Sequence, residues 1–135
     1  MASSRCAPSG DGRGEERALT ETYDFFQQGR DHLRSGRNAQ ATVALEKAKR
    51  REPSSRSIRE ALGIAYFRLG RFAEAETEFR ALVELAPADE YAHYGLARSL
   101  VNQGKQEEAK PHIKLARSLR PRAESSQRLE LPGDS

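Results

Sequence analysis

The side chains with the widest chemical range in this sequence are three histidines and one cysteine, and they are scattered along the chain. His32, His93 and His112 lack the His-Glu-x-x-His spacing that holds zinc on one helix face. Cys6 has no second cysteine as a partner, and no nearby base in the sequence could activate it as a nucleophile. We therefore predict no metal site, no cofactor and no catalytic residue.

Carboxylates are numerous enough to be considered as a general acid and base pair. They cluster in two segments with helical periodicity, on the faces predicted to point to solvent, where charged side chains are typical of a hydrated helix surface. The sequence therefore favours a protein that is not an enzyme. The acidic residues concerned are Glu74, Glu76, Glu78, Glu107 and Glu108.

Two basic clusters could contact the phosphates of a nucleic acid. Each cluster falls in the last turns of a predicted helix, where cations offset the negative end of the helix dipole. The net charge is only +3, and cations and anions alternate along the chain. We predict stabilisation of helix ends, with nucleic-acid binding as the weaker alternative. The clusters are Lys47, Lys49, Arg50 and Arg51, and Lys114, Arg117 and Arg120.

The composition limits the size of the core. The chain has 135 residues, of which 36% are hydrophobic and 32% charged, with a mean hydropathy of −0.82. This length corresponds to about one domain, and the low apolar fraction argues against a large enzyme with a deep pocket. No segment approaches ~18 consecutive apolar residues, so we expect no membrane partner. The start lacks the apolar stretch of a secretory signal, and the single cysteine favours a reducing compartment, so we expect a cytoplasmic protein.

An internal repeat of 34 residues organises the chain. Three residue types hold this period without a gap, and the positions between them repeat in size and polarity. Such a period is the signature of a stacked repeat protein, in which no unit can bury its apolar face alone. The three sets are Pro53, Pro87 and Pro121, then Gly36, Gly70 and Gly104, and finally Ala41, Ala75 and Ala109.

Each unit of the repeat is predicted to form two helices. In the second unit apolar residues recur three and four places apart, Ser57 and Glu60 have the form of a capping box, and Gly70 suits a helix end. Pro87 then stops the second helix. No useful length alternates with a period of two, so we predict no strands. The predicted helices span 21–35, 38–51, 56–69, 72–85, 90–103 and 106–119.

The repeat also carries a motif, W-x2-L-G-x2-Y, then A-x3-F, then P. The second unit has each of these residues except the tryptophan, which Arg59 replaces. The chain thus resembles the tetratricopeptide repeat (TPR) family over residues 20–121. This resemblance implies an all-α, right-handed solenoid of three helix-turn-helix units. The corresponding residues are Leu62, Gly63, Tyr66, Ala75, Phe79 and Pro87 in the second unit, His93, Leu96, Ala97, Leu100, Ala109, Ile113 and Pro121 in the third, and Phe25, Gln28, Gly29, His32, Ala41, Leu45 and Pro53 in the first.

The repeat boundaries divide the chain into five parts. Residues 1–18 are rich in serine, glycine, arginine and glutamate, and are predicted to be a disordered tail. The three units span 20–53, 54–87 and 88–121, of which the first is degenerate. Residues 122–135 are predicted to form a short capping helix and tail, with Leu129 and Leu131 on its inner face. If this cap is incomplete, we expect the exposed last helix to pair with another copy.

The resemblance also implies a binding face. In that family the first helix of each pair lines a concave groove, in which extended or helical peptides dock. Aromatic residues and arginines are concentrated on this strip, and both are enriched at interface hot spots. Arginines there could bind an acidic segment of a partner. The alternative is that the aromatic rings only pack between neighbouring first helices. The candidate partner-binding residues are Tyr23, Phe26, Gln27, Arg30, Arg34, Glu60, Ile64, Phe67, Arg68, Tyr91, Tyr94, Arg98 and Asn102.

One subset of that family binds the terminal carboxylate of chaperones through a lysine–asparagine clamp. The corresponding positions here hold Phe26, Arg30, Ala61, Tyr91 and Gly95, so the clamp is not matched. We therefore predict a non-catalytic adaptor that binds another protein or peptide. The alternatives are a self-assembly module, whose partner is a second copy of the chain, and an accessory or RNA-associated subunit of a larger complex.

Overall fold

Six α-helices make up the part of the chain that the computed structural model describes. That part is residues 2–119, with the backbone alone described for residues 2–13 and Glu15. The all-α prediction is confirmed, since these residues contain no strand, and five of the six helices begin at the predicted residue. The helices are α1 (Ala2–Arg34), α2 (Asn38–Arg51), α3 (Arg56–Arg68), α4 (Phe72–Leu85), α5 (Glu90–Val101) and α6 (Gln106–Leu119).

The two helices of each pair are joined by a tight turn at a glycine. Gly36, Gly70 and Gly104 have φ angles of 78°, 76° and 81°. Side chains other than glycine rarely adopt this region without strain. At the second turn the Gly70 amide donates to the Phe67 carbonyl oxygen at 3.0 Å, which satisfies a carbonyl left over at the end of α3. The repeated glycine therefore marks a repeated turn.

The links between pairs combine a proline with an N-cap. Ala86 has an extended backbone (φ −143°) because the following Pro87 disfavours the helical region at the residue before it. Asp89 then caps α5 by accepting a hydrogen bond from the amide two residues later at 3.0 Å. At the preceding link Ser55 caps α3, accepting from an amide three residues later at 3.3 Å. The sequence predicts a capping box at Ser57, whereas the observed N-cap of α3 is Ser55, two residues earlier.

The helices stack so that the first helix of each pair forms a continuous layer. Each helix packs against the next along the chain, and α1, α3 and α5 also pack against one another in that order. The backbones of the second helices α2, α4 and α6 lie further apart in the described residues, and ion pairs such as Lys49 with Glu78 and Arg80 with Glu108 bridge them. The stack is therefore tighter on the side of the first helices.

Phe79 lies at the centre of the core, fully buried between two glycines. A Cβ atom built on Gly63 of α3 would lie 2.7 Å from its Cζ, and one built on Gly95 of α5 would overlap its ring. In the first pair Leu45 packs against Gly29 in the same manner. Gly29 and Gly63 thus allow the two helices of a pair to approach closely, whereas the contact of Gly95 joins one repeat to the next.

One carboxylate that the sequence places on a solvent face is buried instead. The Glu78 side chain is 4% exposed and lies between Lys49 of α2, at 2.8 Å, and Arg59 of α3, at 2.9 Å. The prediction was wrong for Glu78 because two cations from neighbouring helices compensate the loss of hydration. Glu76 is half-buried, and it accepts a hydrogen bond from Gln103 of the next repeat at 2.8 Å.

The N-terminal end of the chain differs from its prediction, and the predicted C-terminal cap is not among the described residues. The sequence predicts a disordered tail over residues 1–18, whereas the structure continues α1 back to Ala2. Gly14 and residues 16–20 are exposed, so this extension adds little to the core. It follows from the packed half of α1, because adding a residue to an existing helix costs less than starting one. The predicted cap over 122–135 lies outside the described residues.

Candidate partner-binding face

The thirteen predicted binding residues all lie on α1, α3 and α5 or directly after them, and the structure leaves ten of them accessible. We call these ten the first-helix face, since they share the layer in which the first helices pack side by side. The face combines aromatic rings, amides and arginines, with one acidic residue. Its members are Tyr23, Phe26, Gln27, Arg30, Arg34, Glu60, Arg68, Tyr94, Arg98 and Asn102, all exposed or half-buried.

The other three predicted residues are part of the core. Ile64, Phe67 and Tyr91 are 0%, 5% and 6% exposed. Their outward position was wrongly predicted because neighbouring first helices approach closely and cover these side chains. Phe67 also makes an edge-to-face contact with Phe72, whose ring centroid lies 5.1 Å away. For these residues the alternative of packing between first helices describes the structure.

Arg98 is held on the first-helix face by two aromatic residues. Its guanidinium carbon lies 5.2 Å from the centroid of the Phe67 ring and 5.7 Å from that of Tyr94. Its Nη1 atom also donates to the Tyr94 hydroxyl oxygen at 2.9 Å. Stacking on aromatic faces leaves the edge of a guanidinium as the direction from which a carboxylate can be bound. Phe67, although buried, therefore contributes to the face through Arg98.

Arg30 and Arg68 of the first-helix face are also held by contacts within the fold, the first in its own repeat and the second with the preceding repeat. The guanidinium carbon of Arg30 lies 5.5 Å from the centroid of the Phe26 ring. The Nη1 atom of Arg68 donates to the Leu33 carbonyl oxygen of α1 at 3.0 Å. Contacts of this kind reduce the side-chain entropy that an arginine loses on binding a partner. The face thus presents one oriented arginine from each of its three helices.

A cavity of about 200 Å³ opens at the α1 end of the face. Tyr23 and Leu19 beside it are 62% and 61% exposed, which leaves a sizeable apolar surface in contact with water. The sequence predicted Tyr23 and Phe26 here but missed Leu19, whose position one turn before Tyr23 on α1 was the available signal. The cavity is lined by Leu19, Thr22, Tyr23, Phe26, Glu52, Ser55, Ser57 and Ile58.

The basic cluster on α2 is mostly engaged within the fold. The Lys47 and Arg51 cations lie 5.5 and 5.3 Å from the centroid of the Phe25 ring, and Arg51 also pairs with Glu21 of α1. Lys49 is bound to the buried Glu78. The cluster therefore does more than offset a helix dipole, because it ties α2 to α1 and α4.

Within residues 2–119, no three or more histidine, cysteine, aspartate or glutamate side chains group in a way that could hold a metal ion. None of the helices described for this stretch has the length and apolar character needed to span a bilayer.

The repeats of this chain match a known protein family. A family model for the tetratricopeptide repeat matches residues 26–90 and 62–124, while no curated protein matches the chain. Among solved structures, the MamA R50E mutant is 30% identical over 75% of this chain and 74% of that chain, with a TM-score of 0.71.

Two other solved structures share less of the sequence. The first TPR of Spaghetti (RPAP3), bound to the HSP90 peptide SRMEEVD, is 22% identical over 79% of this chain and 85% of that one, with a TM-score of 0.71. A Thermobaculum terrenum O-GlcNAc transferase mutant is 24% identical over 79% of this chain but only 21% of that one, with a TM-score of 0.70. At these identities the likeness shows the fold alone.

Proposed function

We propose that this chain, which belongs to the tetratricopeptide repeat family, is a non-catalytic adaptor that binds an acidic peptide or partner helix on the first-helix face. The observation that carries this proposal is the orientation of Arg98, which Phe67 and Tyr94 hold from two helices. Together with Arg30 and Arg68 it supplies cations to carboxylates along the layer of first helices. The aromatic rings beside them supply apolar area to be buried.

Two comparisons bear on the kind of ligand. The HSP90 peptide in the Spaghetti complex contains two glutamates and an aspartate, so a related fold seats a short acidic segment. The residues that would form a lysine–asparagine clamp are absent here, with Phe26, Arg30 and Tyr91 among the replacements. We therefore propose recognition of acidic side chains along a peptide rather than capture of a terminal carboxylate.

The test uses peptides selected from a random display library against the full chain. We expect the selected peptides to be enriched in aspartate and glutamate. Arg30→Glu combined with Arg98→Glu should weaken their binding at least about tenfold, which corresponds to the loss of about 1.4 kcal/mol. The melting temperature should change little, because both side chains are only half-buried and lie outside the hydrophobic core.

The matched control reverses two cations on second helices, Arg50→Glu with Lys114→Glu, which changes the net charge equally. Binding by this control should stay close to that of the parent chain. Equal weakening in both double variants would point to a general charge effect. Unchanged binding in the Arg30 and Arg98 variant would place the peptide elsewhere.

A second function, self-association, is favoured by apolar surface on the last of the described helix pairs. A cavity of about 260 Å³ lies between α5 and α6, and Val101 and Leu115 near it are 36% and 40% exposed. In the second repeat the residue equivalent to Val101 is the buried Phe67, which shows what the next unit would cover. Light scattering at rising concentration should show dimers that Val101→Asp abolishes. A strict monomer at high concentration would remove this second function.

A further inference from the structure

Two histidines that are far apart in the sequence meet between α5 and α6. The Nδ1 atoms of His93 and His112 are 3.2 Å apart. The ring centroids are 5.4 Å apart and the ring planes are inclined by 21°, so the rings meet edge to edge through these two atoms. His93 is 4% exposed, while His112 is half-buried and reaches solvent. The sequence treats these residues as isolated, so only the fold reveals the pair.

A backbone carbonyl determines which nitrogen of His93 carries hydrogen. The Nε2 atom of His93 lies 2.8 Å from the carbonyl oxygen of Pro87. Because a carbonyl only accepts, Nε2 is the donor, and in the neutral ring Nδ1 holds a lone pair that faces His112. Metal-binding histidines are commonly oriented in this way, with the second ring nitrogen donating to a backbone carbonyl or a carboxylate.

We propose that His93 and His112 form a two-histidine site for a divalent transition-metal ion of the Zn²⁺, Ni²⁺ or Cu²⁺ class, with water completing the coordination. Two imidazole nitrogens bound to tetrahedral zinc lie about 3.3 Å apart, close to the 3.2 Å between these Nδ1 atoms. The ion takes the place of the proton that the two atoms share. In the structure the two Nδ1 atoms point directly at each other, and His93 is held by Pro87, so the half-buried His112 side chain swings out of line to bring its lone pair onto the ion.

The surroundings of the pair determine the kind of site. Burial, the His93 ring and the Arg80 charge, in that order, lower the pKa of His112, so its ring is neutral and can bind metal at neutral pH. Glu108, one turn before His112 on α6, is paired with Arg80 at 3.4 Å and is 59% exposed. With Arg80 opposing a second positive charge, the site is an open, exchangeable one rather than a closed structural centre.

Titration calorimetry with NiCl₂ on the full chain tests this site. All proteins carry Cys6→Ser, because a free thiolate binds the same ions. At pH 7.5 we expect one Ni²⁺ per chain, with His112→Gln weakening binding at least about tenfold. The matched control is His32→Gln on α1, which should leave binding unchanged. Circular dichroism confirms that both variants are folded.

A second measurement needs no histidine variant. Lowering the pH from 7.5 to 5.5 should weaken Ni²⁺ binding, because protons compete for the two imidazoles. The proposal is overturned if the parent binds no Ni²⁺, if His112→Gln binds as tightly as His32→Gln, or if binding is the same at both pH values. In those cases the pair is only a hydrogen bond between two helices.

Discussion

The ring of Phe79 lies directly against Gly95, so that the largest fully buried side chain of one repeat contacts bare backbone of the next. Gly63, from the same repeat as Phe79, covers the ring from α3. This contact explains how consecutive repeats stack, because a ring held between two glycines brings α3, α4 and α5 within close packing distance. The register of the array therefore depends on small residues as much as on large ones.

Gly95→Ala should destabilise the fold by about 1–3 kcal/mol, because the added methyl group overlaps Phe79 and forces α5 away from α4. Urea unfolding followed by circular dichroism measures the loss. The control is Gly14→Ala on α1, where nothing lies within 4 Å of the added Cβ atom. That change should be neutral or stabilise by up to about 1 kcal/mol. Equal stability of the two variants would contradict the described contact.

Glu78→Gln should cost about 3 kcal/mol of the free energy of unfolding, because it leaves Lys49 and Arg59 without their shared carboxylate. The control is Glu107→Gln, whose ion pair with Lys110 is 86% exposed on the acidic side. Exposed pairs contribute less than about 1 kcal/mol, so the control should be close to neutral. If both changes have the same small effect in chemical denaturation, Glu78 does not join the repeats.

Stability should fall as the pH drops below about 6.5. Burial, together with His93 and Arg80, holds the pKa of His112 below its usual 6.5 in the folded chain. As the pH falls, the His112 imidazole is therefore protonated in the unfolded chain before it is protonated in the folded chain. The free energy of unfolding that this difference contributes is fully present above pH 6.5, and it is lost as the pH falls towards the pKa of His112 in the folded chain. Urea midpoints at pH 7.5, 6.5 and 5.5, measured with EDTA, should decrease.

The same series in His112→Gln provides the control for that pH effect. The decrease between pH 7.5 and 5.5 should shrink, because glutamine does not titrate. Glu76 loses its contribution only below its usual 4.5, since hydrogen bonds from Gln103, Arg80 and Lys105 outweigh its burial and lower its pKa. The pH range in which Glu76 titrates therefore lies below the range of 7.5 to 5.5 used to test His112. An identical pH dependence in parent and variant would show that His112 is not responsible.

The helices and their stacking could be read from local signals. Gly70 requires a turn because of its positive φ, and Pro87 forbids the helix to continue through the residue before it. Both effects depend on one residue and its neighbours. The pairing of Gly63 with Phe79 was also predictable, because the repeat motif places the two at a fixed spacing.

The details that depend on contacts between repeats could not be read in this way. Glu78 has the spacing of a surface residue, and only Lys49 and Arg59, brought together by the fold, make its burial favourable. Tyr91 and Phe67 were assigned outward because a helix pattern does not show how closely the next first helix approaches. The sequence thus identified which residues lie on the first helices but not which of them are exposed, and the binding role of the face stays a prediction.

Photo-crosslinking distinguishes binding on the first-helix face from binding elsewhere on the chain. Tyr23 on this face and Val43 on α2 are matched in exposure, at 62% and 59%. Each is replaced in turn by a photoreactive phenylalanine, and the labelled acidic peptide selected against the full chain is added. We predict crosslinks from position 23 and none from position 43. Crosslinks from position 43 alone, or equally from both, would contradict the proposed function.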